Sequence, residues 1–375
     1  MPRIIFTVIN DLVYDQRMQR ICTSLSASGY DVLLTGRKLK SSVSLEKKTF
    51  TQKRLQLAFN RGKLFYIEYN IRLLIFLLFQ KADIICGIDL DTIIPCYIIS
   101  KIKEAKCVYD AHELFPEVPE VINRPLIKKI WLLIERYAVK RIHNCYTVSF
   151  GIATYFKNKY GRDFGVIRNV PLLEIKEPKL NTSEIFSIAE SKSFDGDKFI
   201  FYQGALNLGR GLEQLIIALK DIPLNLKISG EGDLSDSLRE LVKKEKLHNK
   251  VTFLGMKKPG ELRELTKQSF IGLNLLENLG MSYYLSLANK FFDYVHAQVP
   301  QISMNYPEYE ALNAQFKVAV LIDNLETLTI VNALNRLIND KEYYFRLREN
   351  CIRASAEWNW QKEEVKLVSF YRNLK

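Results

Sequence analysis

The chain has 375 residues, 47% of them hydrophobic and 26% charged, enough apolar content for two or three cores, which excludes a disordered chain. The formal net charge is +12, and residues 1–170 hold 27 of the 54 basic but only 15 of the 42 acidic side chains, so the whole excess lies there. A basic half suits an anionic surface, whether membrane, phosphate-bearing lipid or nucleic acid, although a merely soluble basic domain has the same signature.

Residues 3–9 predict a strand with no signal-peptide pattern before it. An amphipathic helix follows at 15–28, with Met18, Ile21, Cys22 and Leu25 at helical spacing, and Gly29 ends it before a strand at 30–35. The predicted helix at 68–80 contains the most hydrophobic run, 73–79, bracketed by Arg72 and Lys81. It is too short to span a bilayer, which leaves a buried helix or a membrane-surface helix. Strands at 82–87, 106–110 and 144–149 alternate with helices at 91–103 and 125–141. Residues 150–175, with Gly161, Gly165 and Pro171, read as an interdomain passage, and the polar 176–197 as a surface loop or helix. The alternation restarts with strands at 198–203, 224–229, 250–254, 271–276 and 299–303 and helices at 212–219, 235–246, 259–268 and 289–297, and 326–373 is mostly helical. Such alternation predicts βαβ units and parallel sheets. Two α/β domains in succession leave a cleft, and ligands of such sheets bind at the carboxyl ends of the strands.

The cysteines Cys22, Cys86, Cys96, Cys107, Cys145 and Cys351 form no CxxC pair and lie mostly in apolar runs, so free buried thiols of a reducing compartment are expected. The four histidines show no ligand spacing, and no metal site is expected.

Three clusters carry candidate chemistry. Residues 202–211 (YQGALNLGRG) lie between a strand and a helix, where Gly204 allows close backbone approach and Arg210 can fork phosphate oxygens. The spacing is not G-x-G-x-x-G, and a plain glycine-rich connection reads the same way. Residues 282–294 enter a helix. Free N–H groups at its start suit a diphosphate, Lys290 adds a point charge, and Asp293 one turn in can accept from ribose hydroxyls. A surface loop with a capping Asn289 is the alternative. The third is 109–117 (YDAHELFPE), where His112 after a strand can donate to a sugar hydroxyl or phosphate, move a proton, or be purely structural.

These segments, with TVSFGIA (147–153), IRNVP (167–171), ISGEGDL (228–234), VTFLG (251–255) and LSLANKFFDYVHAQVPQIS (285–303), resemble family 4 of the retaining glycosyltransferases in order and spacing over nearly the whole chain. The resemblance implies the GT-B fold, an α/β arrangement of two Rossmann-like domains with parallel sheets facing across a cleft. It implies an acceptor domain at 1–170, a nucleotide-sugar domain at 171–355, and a last helix within 356–375 crossing back to the first domain. Arg210 then grips the donor diphosphate. Ser286, Leu287, Ala288 and Asn289 wrap the same phosphates, and Asp293 holds the ribose. Gly230, Glu231 and Gly255 approach the base, and His112 lies near the donor sugar. The family's first glutamate falls at Leu285 and is absent, and Ala205 stands where an arginine is frequent; Lys290 is the replacement cation.

The implied activity moves a sugar, with retention, from a nucleotide diphosphate sugar to a glycan or lipid-pyrophosphate-linked acceptor in polysaccharide or glycoconjugate synthesis, without a metal or other cofactor. Catalytic roles fall to His112, Arg210 and Lys290. The +12 fits a peripheral protein on the cytoplasmic face of an anionic membrane, with Lys38, Lys40, Lys47, Lys48, Lys53 and Arg54 as the expected contacts. Two alternatives remain, a nucleotide-sugar epimerase and a degenerate non-catalytic subunit docking a partner transferase. Nucleic acid is not an expected partner, since no basic stripe is interleaved with stacking aromatics.

Overall fold

The computed structural model describes residues 1–174 and 198–375, so the polar segment 176–197 lies outside the described residues. The chain divides into two compact units, Met1–Arg168 with Glu363–Lys375, and Asn169–Lys362.

The first unit is built on seven parallel strands: β1 Arg3–Thr7, β2 Asp31–Lys38, β3 Thr51–Gln56, β4 Ile84–Ile88, β5 Lys106–Ala111, β6 Asn144–Thr147 and β7 Gly165–Val166, in the order 3-2-1-4-5-6-7. β4 is buried at all positions, as expected of a parallel strand covered on both faces. Ile5, Leu33 and Ile85 of this sheet pack against Phe65, Tyr69, Leu73 and Leu77 of the helix Gly62–Leu78.

Three sequence expectations are corrected in this unit. The apolar run 73–79 is not a fully buried helix: Leu73 and Leu77 are buried, while Ile75, Leu78 and Phe79 are exposed, because the helix rests on the sheet along one face only. Residues 150–175 are not a passage throughout. Ser149 caps a helix, Phe150–Tyr160, by accepting the Ile152 N–H, Gly161 ends it in the left-handed conformation, and β7 adds to the sheet. Phe156 and Phe164 stack at 4.2 Å and fasten that helix to the loop before β7. Arg54, grouped above with exposed lysines, turns inward to pair with Asp11. Residues of Glu363–Lys375 pack on the same unit: Tyr371 lies 5.8 Å from Phe6 and Lys106 Nζ donates to Leu374 O.

Among the described residues the second unit carries six parallel strands, β8 Phe199–Gln203, β9 Asn225–Ser229, β10 Val251–Gly255, β11 Ile271–Asn274, β12 Gln301–Met304 and β13 Ala319–Ile322, in the order 10-9-8-11-12-13. Each sheet is wound outward from its first strand in both directions, the Rossmann-like arrangement, with a switch point at β1/β4 and at β8/β11. Phe199 and Phe201 of β8 pack on Tyr294 and Val299. The Tyr294 hydroxyl donates to Phe201 O at 3.0 Å, and its ring lies flat over Gly272, so the helix Asn289–His296 sits tight on the sheet. The cysteines are free, all buried but the half-buried Cys107. No described helix is long and apolar enough to cross a membrane.

A Cβ at Gly272 would overlap the Tyr294 ring. Gly272→Ala is expected to lower stability by about 1–3 kcal/mol in urea denaturation, the usual effect of overpacking. An unchanged midpoint would show that the helix is not held by this contact.

Candidate functional site

In the second unit the polar groups gather at the carboxyl ends of β8, β9 and β10 and at the start of the helix Asn289–His296. Gly204 follows β8 at φ +134° and Gly230 follows β9 at φ +146°. A Cβ at Gly230 would overlap the Gly204 carbonyl, so only glycine lets the two loops meet backbone to backbone. Gly230 N–H donates to Gly255 O at 3.0 Å, which ties in the end of β10. Glu231 accepts from Arg239 Nη2 at 2.7 Å.

Lys290 reaches back along this floor. Its Nζ would lie 3.5 Å from a Cβ at Gly204 and stands 4.0 Å above the Tyr202 ring. The side chain is 8% exposed, and Nζ has no hydrogen-bond partner among the described residues. Burial pushes the ammonium well below the ordinary lysine range, the nearby Arg210 guanidinium pushes it further, and Asp293 opposes both. Arg210 lies over the Tyr283 ring at 4.7 Å, and its Nε is likewise buried without a partner. No side chain caps the helix that carries Lys290. Ala288 N–H donates to the Tyr309 hydroxyl at 3.0 Å, and Ser286 Oγ donates to Tyr283 O at 2.8 Å. Asn169 Nδ2 donates to Asn289 Oδ1 at 2.6 Å. Asp293 Oδ2 accepts from Gln203 Nε2 at 3.0 Å, and Gln203 Oε1 accepts from Thr266 at 2.9 Å. Leu285 is buried.

The first unit gathers a different cluster at its own switch point. His112 follows β5, Asp89 follows β4, and Arg17 comes from the helix after β1. Arg17 Nη2 donates to Asp110 Oδ1 at 3.1 Å and Nη1 to Ile167 O at 3.0 Å. His112 N–H donates to Asp89 Oδ1 at 2.8 Å. His112 Nε2 lies 3.0 Å from both Asp110 Oδ2 and Arg17 Nε and cannot donate to one while accepting from the other. Two carboxylates against one guanidinium favour a protonated ring that donates to Asp110. Burial opposes the charge, but Asp110 and Asp89 outweigh it and raise the His112 pKa to about 9. Burial alone would raise the Asp110 carboxyl; Arg17 and His112 overcome it and hold Asp110 below the ordinary range.

Residues 184–358, nearly all of the second unit, match the family Glycosyl transferases group 1. The second unit is a group 1 glycosyltransferase domain. Solved structures extend the fold likeness over the whole chain. Sucrose-phosphate synthase from Thermosynechococcus elongatus matches with a TM-score of 0.81 at 15% identity, covering 100% of this chain and 99% of that one. Anabaena HepE in complex with UDP and glucose matches at 0.75 and 14%, covering 100% of both. WaaG, a glycosyltransferase involved in lipopolysaccharide biosynthesis, matches at 0.68 and 14%, covering 98% of both. No curated protein matches the sequence. These likenesses establish the GT-B fold.

Within the glycosyltransferase domain, Gly204, Arg210, Gly230, Gly255, Lys290 and the segment Ser286–Asn289 lie around one floor, whereas Glu231 is engaged by Arg239 and Asp293 by Gln203. His112 belongs to the first unit, where both nitrogens of its ring meet carboxylates, Nδ1 at 3.6 Å from Asp89 Oδ2 and Nε2 at 3.0 Å from Asp110 Oδ2. Sequence reading did not single out Arg17, although it stands four residues before Ile21 on the apolar face of its helix, an odd place for an unpaired cation. Tyr309 and Thr266 offered no signal. Among the described residues no group of three His, Cys, Asp or Glu is placed to hold a metal ion.

The raised His112 pKa gives a pH signature. A histidine held above its ordinary 6.5 contributes stability that is complete below that value and is lost as pH rises through about 9. The stability deficit of His112→Gln should therefore be large near about pH 6 and vanish near about pH 10 in equilibrium denaturation. A deficit independent of pH would remove the charged pair from the account.

Proposed function

We propose that the protein transfers a sugar from a nucleotide diphosphate sugar, bound by the second unit, to a glycan or lipid-pyrophosphate-linked acceptor bound by the first. The observation that carries the reading is Lys290: a buried amine without an acceptor among the described residues, beside Arg210, whose Nε is likewise buried without one, over a glycine floor. A buried polar group without a partner calls for an explanation, and a diphosphate supplies the missing negative charge to both cations. Backbone N–H groups of Leu287 and Asn289 at the helix start add dipoles of the same sign, while that of Ala288 is taken by the Tyr309 hydroxyl. Gly230, Glu231 and Gly255 flank the base, and Asp293, steadied by Gln203, receives the ribose hydroxyls.

In this reading the bond from the anomeric carbon to the phosphate oxygen breaks, and the charge growing on the leaving diphosphate is stabilised by Arg210, Lys290 and the helix start. These cations do the work a metal would otherwise do. The departing phosphate takes the proton of the acceptor hydroxyl as that oxygen bonds to carbon, which retains the anomeric configuration. His112, charged and fixed by Asp110 and Asp89, orients the sugar and does not act as the base. The net charge of +12, all of it within residues 1–170, and the free thiols fit a peripheral protein on the cytoplasmic face of an anionic membrane, serving cell-surface polysaccharide or glycoconjugate synthesis. The exposed Ile71 and Ile75 would serve the alternative, a non-catalytic subunit with a protein partner, but that reading leaves Lys290 and Arg210 without a role.

A thermal-shift screen against UDP, GDP, ADP and CMP tests the donor site. One nucleotide at a hundred times its dissociation constant should stabilise by about 2.7 kcal/mol. Arg210→Ala should abolish the shift, and Lys290→Met should slow transfer by about a hundredfold or more, the usual effect of losing one transition-state donor. A shift undiminished in both variants would place the phosphates elsewhere, and no shift with any nucleotide would favour the non-catalytic subunit.

A further inference from the structure

The helices Gly62–Leu78, Asp89–Ile102 and Pro125–Arg141 lie side by side on one face of the first unit's sheet, as right-handed crossovers from β3 to β4, β4 to β5 and β5 to β6 require. Tyr66 meets Trp131 edge-on at 5.7 Å, Tyr97 meets Tyr137 at 5.7 Å, and Lys103 Nζ donates to Leu78 O at 2.8 Å. The first and last of these helices are apolar twice over, with one stripe on the sheet and a second turned to solvent. On Gly62–Leu78 the outer stripe is Leu64, Ile67, Ile71 and Ile75, each at least 50% exposed and spaced three or four residues apart. On Pro125–Arg141 it is Leu126, Ile130, Leu133 and Tyr137, with Leu126 at 79% exposure. Isolated exposed apolar residues need no explanation, but two such stripes at helical period on neighbouring helices do.

Cations border the stripes. Lys63 and Arg72 flank the first. Lys129, Arg136 and Lys140 run along one margin of the second and make no ion pair among the described residues. With Lys159 and Tyr160 these three line a surface cavity of about 440 Å³ that Leu133 also borders, so basic groups and the apolar stripe share one opening. An apolar stripe with lysine and arginine margins is the pattern of a helix lying in a membrane interface. Protein contact surfaces are depleted in lysine, which weighs against a protein partner here.

We infer that this helical face rests on an anionic bilayer, with the two stripes entering the boundary between headgroups and acyl chains and Lys129, Arg136 and Lys140 receiving lipid phosphates. The inference rests on the membrane reading proposed above and relocates the contact from the lysines of residues 38–53 to the helices.

Flotation of the full-length protein with phosphatidylcholine vesicles, with and without phosphatidylglycerol, tests it. Wild type should float only with the anionic vesicles. Lys129→Gln with Arg136→Gln and Lys140→Gln should lower the partition by about a hundredfold, at about 1 kcal/mol for each basic residue. Leu126→Ser with Ile130→Ser and Leu133→Ser should lower it by about tenfold or more. Both variants change exposed positions and should retain the wild-type melting temperature and nucleotide shift. Lys38→Gln with Lys40→Gln, Lys47→Gln and Lys53→Gln should have the smaller effect. Wild type that does not float at all overturns the membrane reading and this face together, while leaving the donor site to its own test. Floating wild type with undiminished helix variants overturns the face alone, as does a larger loss from the loop variant. A concentration-dependent dimer dissociated by the leucine and isoleucine substitutions would assign the face to a second copy and also overturn it.

Discussion

An ammonium group held in a protein interior without an acceptor is unfavourable, and the site in the second unit is arranged around one. Lys290 lies against the Gly204 backbone, with its Nζ 4.0 Å above the Tyr202 ring. A ring face offers a cation about 0.5–2 kcal/mol, far less than the hydration it loses. Arg210 nearby makes the local charge more positive. The fold holds the pair in place through contacts that do not neutralise it: the Gly204–Gly230 backbone approach, the Tyr309 hydroxyl on Ala288 N–H, and Tyr294 pressed on Gly272. A scaffold that leaves Lys290 Nζ and Arg210 Nε without partners among the described residues gains where an anion binds, and gains most where negative charge increases along a reaction.

The first unit shows the contrast. Its sheet is wound in the same order, and its switch point also collects charged side chains, yet there the charges close on themselves. Arg17 and His112 face Asp110 and Asp89, and the cluster is neutral when the ring is protonated. Such a cluster is suited to holding one imidazole in a fixed orientation, and its pKa of about 9 keeps it from taking a further proton. The two units thus use one topology for different electrostatic ends, an unbalanced site that calls for an anion and a balanced site that positions a ring.

Much of the architecture was legible in the sequence because parallel strands buried on both faces read as continuous apolar runs, as in β4 and β8. What escaped had the opposite character. β3, Thr51–Gln56, is a polar edge strand, and its alternating exposure leaves only the weakest apolar period. The helix Phe150–Tyr160 was hidden by Gly161 and Gly165 after it and by Gly151 inside it. The residues of the donor site were visible as types, but not their state. Nothing in the sequence says that Lys290 lacks an acceptor, that Glu231 is held by Arg239, or that Arg54 turns inward to Asp11, since each depends on which partner the fold supplies. Arg17 was readable in principle, being a cation on the apolar face of a predicted helix.

The donor site turns on the charge state of one amine. An NMR titration of the Lys290 amine, assigned with Lys290→Arg, measures it directly with and without the nucleoside diphosphate that binds. Titration well below the ordinary lysine range is expected in the free protein, with a return to or above that range once the diphosphate is bound. An amine that titrates normally in the free protein, or that is unmoved by the nucleotide, would contradict this reading.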